Sequence, residues 1–212
     1  MVANYRIHGH TVRHGDILDE NIKNLTTPKS IDLYYSDPPW SSGNLKYWQT
    51  INKKQNRDAE FSKTTDEDVF LARLMDLVDH YAKDLVVLEY SKKYEALEKA
   101  IKAKGFHISC IAASVYNHQN LKHVIVFAGR KPRSLAIELH RYKGLTLVNH
   151  IFSCLEPLLP EDATVMDLCC GMGYTAKAAI KRGWTFVGNE INKNRLQKTI
   201  KALNNGIIPQ PR

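Results

Sequence analysis

Residues 163–190 constrain the fold more than any other part of the sequence. The apolar run ATVMDL (163–168) has the length and composition of a buried strand, and a turn containing Gly171 and Gly173 follows it directly. The helix-forming segment GYTAKAAIKRG (173–183) and a second apolar run, WTFVGNE (184–190), come next. Strand, tight turn, helix and strand make a βαβ unit with two parallel strands. These residues therefore predict an α/β fold.

The rest of the chain continues this alternation. Further strands are predicted at residues 11–17, 30–36, 84–90, 107–116 and 123–129. Helices are predicted at residues 66–82, 145–158 and from Asn192 to about 204, with another that places Tyr94, Leu97 and Ile101 inward and ends at Gly105. The strands at 107–116 and 123–129 read as an antiparallel hairpin at the end of the sheet. We expect one domain over residues 1–212, with a doubly wound, mostly parallel sheet of about seven strands and one antiparallel hairpin.

The charge balance favours an anionic partner. Lys and Arg number 30 against 22 Asp and Glu, a formal net charge of +8, and nucleic acid is the first candidate for such a protein. Residues 41–65 are predicted as a loop, with five Lys or Arg, two acidic residues and interleaved aromatic side chains. Phosphate contacts with base stacking account for this composition, and so does an ordinary solvated loop. The candidate nucleic-acid contacts are Lys46, Tyr47, Trp48, Lys53, Lys54 and Arg57.

The cysteines and the apolar runs bear on the compartment. Four cysteines without a CxxC pair, and an N-terminal segment without an apolar signal, indicate free thiols in a reducing cytoplasm. No run approaches the roughly 18 apolar residues that a membrane span needs. The histidines show no ligand spacing beside cysteine pairs, so no metal site is predicted.

The tetrapeptide Asp37-Pro38-Pro39-Trp40 carries the clearest chemical signal. It follows a predicted strand directly, where open α/β sheets place their ligand-binding residues. The Asp37 carboxylate and the Pro38 carbonyl can each accept a hydrogen bond from an amino group whose lone pair is delocalised into a base, which frees that lone pair. The prolines restrict the backbone, and Trp40 offers a face for stacking a base. A plain turn of the same composition is the alternative.

The turn after residue 167 has the geometry of a nucleotide-type cofactor loop. Its glycines allow a tight turn and close approach of a ligand, and Glu190 ends the next strand, where an acid can bind both ribose hydroxyls. A solvated carboxylate at a strand end is the alternative for Glu190. For the adjacent Cys169 and Cys170, packing as small apolar side chains is favoured over a nucleophilic role.

Together these segments resemble the amino methyltransferases of nucleic acids, the N6-adenine and N4-cytosine group. That family has an Asp/Asn/Ser-Pro-Pro-aromatic catalytic motif and a cofactor motif similar to Asp-Pro-Phe-x-Gly-x-Gly-Thr-Thr. The chain matches the cofactor motif at Asp167, Gly171, Gly173 and Thr175, and departs from it at Leu168, Cys169 and Tyr174. Residues 140–143 (HRYK) resemble its His-x-x-Lys-Pro element, and residues 15–17 (GDI) its Gly-Asp segment. The catalytic motif precedes the cofactor motif, an order that resembles the beta class.

The resemblance implies a Rossmann-like methyltransferase fold, S-adenosylmethionine (SAM) as cofactor, and direct methyl transfer to the exocyclic amino nitrogen of a base. Asp at the first motif position favours N6 of adenine over N4 of cytosine, and the well-formed glycine loop favours DNA over RNA. The implied catalytic residues are Asp37, Pro38, Pro39 and Trp40. The implied cofactor-binding residues are Asp16, Ile17, Asp37, Lys143, Asp167, Cys169, Gly171, Gly173, Thr175, Glu190 and Ile191.

Three alternatives stay open at this point: an N4-cytosine DNA methyltransferase, an N6-adenine RNA methyltransferase, and a catalytically silent nucleic-acid-binding homologue that supports a partner subunit. Residues 128–139 leave no space for the separate target-recognition region usual in the beta class. Target recognition would therefore fall to residues 41–65, to a homodimer or to a partner subunit. The resemblance implies a bacterial, archaeal or phage-encoded protein and a role such as restriction-modification.

Overall fold

The computed structural model describes residues 2–54, 62–91, 94–116, 121–139 and 142–206. The described residues form eight strands: β1 (Ala3–Ile7), β2 (His10–His14), β3 (Ile31–Ser36), β4 (Ala82–Tyr90), β5 (His107–Tyr116), β6 (Leu121–Gly129), β7 (Thr164–Asp167) and β8 (Thr185–Glu190). They also form six α-helices: α1 (Ser42–Lys54), α2 (Glu67–Tyr81), α3 (Glu95–Ala103), α4 (Gly144–Leu155), α5 (Tyr174–Ile180) and α6 (Lys193–Asn204). Two short 3-10 helices cover Glu20–Asn24 and Glu156–Leu158.

All eight strands belong to one sheet with the order β1-β2-β8-β7-β3-β4-β6-β5. The five central strands, from β2 to β4 in this order, are parallel, and the outer pairs β1/β2, β4/β6 and β5/β6 are antiparallel. The predicted α/β fold class and the β5–β6 hairpin at the end of the sheet are thereby confirmed. The turn of that hairpin, residues 117–120, lies outside the described residues.

The structure adds β1, a strand that was not predicted from the sequence. Its five residues alternate between exposed and half-buried side chains and include no fully buried one. It pairs with β2 alone, with Ala3 opposite His14 and Ile7 opposite His10. A short edge strand of this kind lacks the apolar run that marks a strand covered on both faces.

Helices cover both faces of the sheet. On one face, α4 packs Val148, Ile151 and Phe152 against the sheet together with residues of α5 and α6. On the other face, α2 contributes Leu74 and Val78 to a second core. Because both faces are covered, nearly every residue of β3, β7 and β8 is buried, which explains their near-continuous apolar sequences.

The order of the strands locates a crevice. The chain runs from β3 through α2 to β4 on one side, and from β7 through α5 to β8 on the other, while β3 and β7 lie side by side. The loops that follow the carboxyl ends of these two strands therefore leave the sheet in opposite directions. Ligands bind at this switch point in open α/β sheets.

One segment differs from the sequence-based expectation. Residues 41–65 are not one continuous loop, because α1 occupies Ser42–Lys54. The helix begins where Ser41 Oγ accepts a hydrogen bond from the Asn44 backbone amide at 3.2 Å, and Leu45 is its only fully buried apolar residue within the described part. With so little apolar surface, the segment has almost no helical periodicity to read. No helix in the described ranges is both long and apolar enough to cross a membrane.

Candidate active site

A cavity of about 700 Å³ lies at the carboxyl ends of the parallel strands. Its size is typical of a site for a small organic ligand. It brings together fourteen of the residues singled out from the sequence: Asp16, Ile17, Asp37, Pro38, Pro39, Trp40, Trp48, Lys143, Asp167, Cys169, Gly171, Thr175, Glu190 and Ile191. Two segments that lie far apart in the chain, the tetrapeptide after β3 and the loop after β7, thus face one space.

Asp37 stands at the centre of the tetrapeptide site. Its side chain opens into the cavity, and its Oδ1 accepts a hydrogen bond of 2.9 Å from Trp40 Nε1. Desolvation in the crevice raises the pKa of the Asp37 carboxyl well above the ordinary value, and the negative charge of Glu89 adds to this, followed by that of Asp167. The bond from Trp40 and the charge of Arg195 lower the pKa of Asp37 but do not outweigh desolvation by the surrounding residues, although the carboxyl itself is exposed to solvent through the cavity.

Asp167, at the end of β7, organises the glycine loop from below. Its Oδ1 accepts hydrogen bonds from Ser36 Oγ at 3.1 Å and from the Cys169 amide at 3.0 Å, and its Oδ2 accepts one from Thr175 Oγ1 at 2.6 Å. Burial raises the pKa of Asp167 to about 7, although these bonds favour the ionised form. Asp167 and Thr175 therefore fix the conformation of the loop. Their effect on a ligand is exerted through the backbone of that loop.

The two glycines of the loop have different surroundings. Gly171 lines the cavity with φ of +48°, and its amide donates to Glu190 Oε2 at 2.7 Å. Gly173, also with positive φ (+75°), faces α6, and a Cβ there would lie 2.7 Å from Thr199 Oγ1. Gly173 thus permits close packing of the loop on α6, whereas Gly171 presents backbone to the cavity.

Glu190 closes the opposite side of the loop. Its Oε2 holds Gly171, and its Oε1 accepts a hydrogen bond of 2.8 Å from the Asn192 amide. Glu190 thus connects the glycine loop to the segment before α6, and its side chain lines the cavity. Asn192 Oδ1 in turn caps α6 by accepting from the Arg195 amide at 3.0 Å.

A buried arginine supports the segment after β2. Asp16 accepts hydrogen bonds from the amides of Leu18 (3.0 Å) and Lys63 (2.6 Å). Beneath it, Arg13 is only 1% exposed and donates to the Asp16 carbonyl at 3.1 Å and to Asn189 Oδ1 at 2.7 Å. Sequence reasoning missed Arg13 and Asn189, because a lone Arg in a short strand carries no local sign of burial.

A second group that sequence reasoning missed lies beside Trp40. Glu89, near the end of β4, is 6% exposed; Tyr35 Oη donates to its Oε1, and His123 Nε2 lies 2.8 Å from its Oε2. The His123 ring stacks on Trp40 with a centroid separation of 5.3 Å and an interplanar angle of 14°. The one available signal was an acid within the otherwise apolar run of β4.

Helix α1 lies along the cavity and carries most of the predicted nucleic-acid contacts. Trp48 lines the cavity, with the Arg195 guanidinium 3.9 Å from its ring centroid. The other described candidates, Lys46, Tyr47, Lys53 and Lys54, are exposed, and Tyr47 is 55% exposed. The described α1 contains no acidic residue. Arg57 lies outside the described residues, as do residues 140–141 ahead of Lys143.

Lys143 stands at the N-terminus of α4 and lines the cavity. It provides a cation for an anionic part of a ligand. Among the described residues, no group of three or more His, Cys, Asp or Glu side chains could hold a metal ion. The cavity is thus lined by carboxylates, two cations, aromatic rings and backbone amides.

No known sequence family and no curated protein sequence matches this chain. Solved structures similar to it include three whose alignments span nearly the whole chain. The cytosine-N4-specific PvuII DNA methyltransferase is 12% identical with a TM-score of 0.67, covering 93% of this chain and 87% of its own. The M1.HpyAVI–SAM complex is 19% identical with a TM-score of 0.62, covering 91% and 98%.

The third similar structure is a proposed DNA modification methylase of Thermus thermophilus in complex with S-adenosyl-L-methionine. It is 12% identical, has a TM-score of 0.62, and the match covers 95% of this chain and 96% of the other. At these identities the likeness establishes the fold. The chain has the α/β fold that these proteins share, over nearly its whole length.

Proposed function

We propose that this protein transfers a methyl group from SAM to the exocyclic amino nitrogen of a base in DNA, with N6 of adenine as the acceptor. The observation that carries the proposal is the meeting of Asp37-Pro38-Pro39-Trp40 with the Gly171 loop in one crevice of about 700 Å³. The presence of SAM in two of the similar structures, and the DNA methyltransferase activity named for PvuII, support it.

The residues around the loop fit SAM. Glu190 would accept hydrogen bonds from the ribose hydroxyls, while Asp16, Ile17 and Ile191 would surround the adenine ring. A Cβ at Gly171 would lie 4.0 Å from Glu190 Oε2, so glycine keeps the space above that carboxylate open. Lys143 would pair with the methionine carboxylate. The sulfonium of SAM supplies the electrophilic methyl group.

The tetrapeptide would activate the acceptor. Asp37 Oδ2 and the Pro38 carbonyl would each accept a hydrogen bond from the amino group, which localises the lone pair on the nitrogen. Bound SAM would supply the methyl group and leave as a neutral thioether, and Asp37 would take the proton that the amino nitrogen loses. Trp40 would hold the base by stacking. The contribution of the protein is positioning and hydrogen bonding, without a covalent intermediate.

The exposed side of α1 would contact the nucleic acid. Lys46, Lys53 and Lys54 would meet phosphates, and Tyr47 would stack on an unpaired base at the cavity mouth. Trp48 belongs instead to the cavity wall, where Arg195 covers its ring. We expect the whole chain to act as one methyltransferase domain, with target recognition from α1, a second copy or a partner subunit.

N4 of cytosine is the second candidate acceptor, favoured by the structural likeness to PvuII. Its amino group presents the same two hydrogens to Asp37 and Pro38. The choice of adenine rests on Asp at the first position of the tetrapeptide, and an adenine in RNA would satisfy the same contacts.

The test is transfer of labelled methyl from SAM to unmethylated genomic DNA, followed by nucleoside mass spectrometry. We expect labelled N6-methyladenine, whereas N4-methylcytosine or labelled RNA would identify the alternatives. Asp37→Ala should abolish transfer while SAM affinity, measured by calorimetry, stays largely unchanged. Turnover retained by Asp37→Ala, or SAM binding with no methylation of DNA or structured RNA by the wild type, would contradict the proposal.

A further inference from the structure

A buried polar cluster lies behind the acceptor site and has no role in the function proposed above. Its members are Tyr35 on β3, Glu89 on β4 and His123 on β6. Both carboxylate oxygens of Glu89 are engaged, one by Tyr35 Oη and one by His123 Nε2 at 2.8 Å. A buried carboxylate is costly unless it is fully hydrogen-bonded, and apolar side chains of similar volume often serve a core equally well. Fold stability alone therefore gives little reason for this cluster.

The cluster is connected to the tetrapeptide by direct contacts. Glu89 fixes His123, the His123 ring stacks on Trp40 at 5.3 Å with a 14° interplanar angle, and Trp40 Nε1 donates to Asp37 Oδ1 at 2.9 Å. Tyr35, Glu89 and His123 all line the same cavity as Asp37. A change in Glu89 would thus reach both the stacking surface and the acceptor carboxylate.

We propose that Glu89 is a positioning residue of this site: through His123 it sets the plane of Trp40, and its buried carboxylate acts on Asp37 in the same cavity. This inference rests on the proposed function, because it assigns Trp40 and Asp37 their parts in holding the base. It adds a residue in β4 that neither motif contains.

The groups around Asp37 determine the direction of the effect. Those that bear on it or line the same cavity are Asp16 after β2, Tyr35 on β3, Trp40 after β3, Glu89 on β4, His123 on β6, Lys143 before α4, Asp167 at the end of β7, Cys169 and Cys170 after it, Tyr174 on α5, Glu190 on β8, and Arg195 on α6. Glu89 and Asp167 raise the pKa of Asp37, while Trp40 and Arg195 lower it. Neutralising Glu89 removes the largest of the charge effects and leaves Arg195 in place, so the pKa of Asp37 must fall.

The first experiment compares pH–rate profiles of methyl transfer for the wild type, Glu89→Gln and Tyr35→Phe. Only the ionised Asp37 can take the proton from the amino nitrogen, and it is also the stronger hydrogen-bond acceptor, so the rate should rise with pH as Asp37 loses its proton. In Glu89→Gln, this acid limb should move to lower pH, with SAM affinity unchanged. Tyr35→Phe removes one hydrogen bond to Glu89 but keeps its charge, and its acid limb should stay in place. If the acid limb of the pH–rate profile lies at the same pH in all three proteins, the proposal is overturned.

A second readout does not depend on turnover. The side-chain carboxyl carbon of Asp37, assigned by comparison with Asp37→Asn, can be titrated by carbon-13 NMR in the wild type and in Glu89→Gln. A midpoint lowered by Glu89→Gln supports the coupling even if no nucleic acid is methylated, in which case only the proposed function fails. An unchanged midpoint overturns the inference even if DNA is methylated.

Glu89→Gln could fail to fold, because it alters a buried hydrogen-bond pair. The double variant Glu89→Leu/His123→Phe removes the charge and replaces the buried pair with apolar side chains. Folded proteins often tolerate such a replacement. It should show the same lowered midpoint of Asp37. It should also lower kcat while the KM for SAM is retained, because Trp40 loses a fixed stacking partner. A normal kcat and an unchanged midpoint would overturn the proposal.

Discussion

The carboxylates of the crevice differ in what surrounds them, and the difference assigns them separate tasks. Asp167 and Glu190 each accept a hydrogen bond from the backbone of the glycine loop, and these bonds hold that loop in place. Asp37 receives a side-chain bond from Trp40 and faces the cavity. A carboxylate with few protein donors is the one that can accept from a ligand. The hydrogen bonds around each acid therefore support the proposed role of Asp37 as the acceptor of the amino hydrogens.

Asp167 gives a prediction for stability. Its pKa of about 7 in the folded protein lies above the ordinary 3.8, so the folded state keeps a proton that the unfolded chain has released. Stability from this group is complete below the ordinary pKa and is lost as pH rises toward 7. Relative to Asp167→Asn, which cannot ionise, the wild type should lose about 3 kcal/mol between pH 5 and pH 8. Urea unfolding at several pH values measures the difference.

The control for Asp167→Asn is Asp162→Asn. Asp162 is exposed, so its replacement should leave the pH dependence of unfolding within about 0.5 kcal/mol of that of the wild type. An equal pH dependence in the wild type and Asp167→Asn would show that the charge of Asp167 is well solvated in the folded protein.

At the scale of elements, the loop after β7 depends on how closely α5 and α6 approach. Gly173 begins α5 with φ of +75°, and a Cβ there would lie 2.7 Å from Thr199 Oγ1 and 3.0 Å from Thr199 Cα. The second contact is with backbone and cannot be relieved by a rotamer change. Gly173→Ala should therefore destabilise the protein by roughly 3 kcal/mol, from backbone strain and overpacking together. Chemical denaturation measures the loss.

Gly183 offers a matched control for this prediction. It has the same φ of +75°, but a Cβ there meets nothing within 4 Å. Gly183→Ala should therefore cost only the backbone strain, about 1 kcal/mol. The difference between the two variants measures the packing of the loop on α6. If both substitutions lower the free energy of unfolding by the same amount, close packing at Gly173 contributes nothing to stability.

The elements that could be predicted from the sequence are those with a strong apolar pattern. The buried strands β3, β4, β7 and β8 and the amphipathic helix α2 lie within a few residues of their predicted positions. The elements that could not be predicted, β1 and α1, bury little apolar surface. Their structure depends on a neighbouring strand and on the cavity wall, neither of which leaves a local signal.

The same limit applies to the candidate site. Asp37 and Glu190 follow buried strands, so their position at the carboxyl edge of the sheet could be predicted. The contact between Glu89 and His123 depends on the antiparallel register of β4 and β6, in which Glu89 lies opposite Ile125. A sequence read locally carries no information on that register. The roles of all these residues stay predictions until the variants are measured.

The charge of the whole molecule is distributed unevenly. At the edge of the sheet near Asp79 and Asp84, Lys29, Arg130 and Arg133 are held in ion pairs. Helix α1 has basic residues and, over its described length, no acid to neutralise them. Part of the unneutralised positive charge therefore lies beside the cavity, where an extended anion would be guided to the site.

This distribution predicts the salt dependence of DNA binding. Each lysine that meets a phosphate contributes about −0.9 to the slope of log affinity against log salt concentration. The double variant Lys53→Glu/Lys54→Glu should reduce the magnitude of that slope by about 2 and weaken binding at low salt without changing SAM affinity. Fluorescence anisotropy with a labelled DNA duplex at several salt concentrations measures this slope. Lys102→Glu/Lys104→Glu makes an equal charge change at α3 and its C-cap, away from the cavity lining. If both double variants alter the slope equally, DNA responds to net charge alone and α1 is not its docking surface.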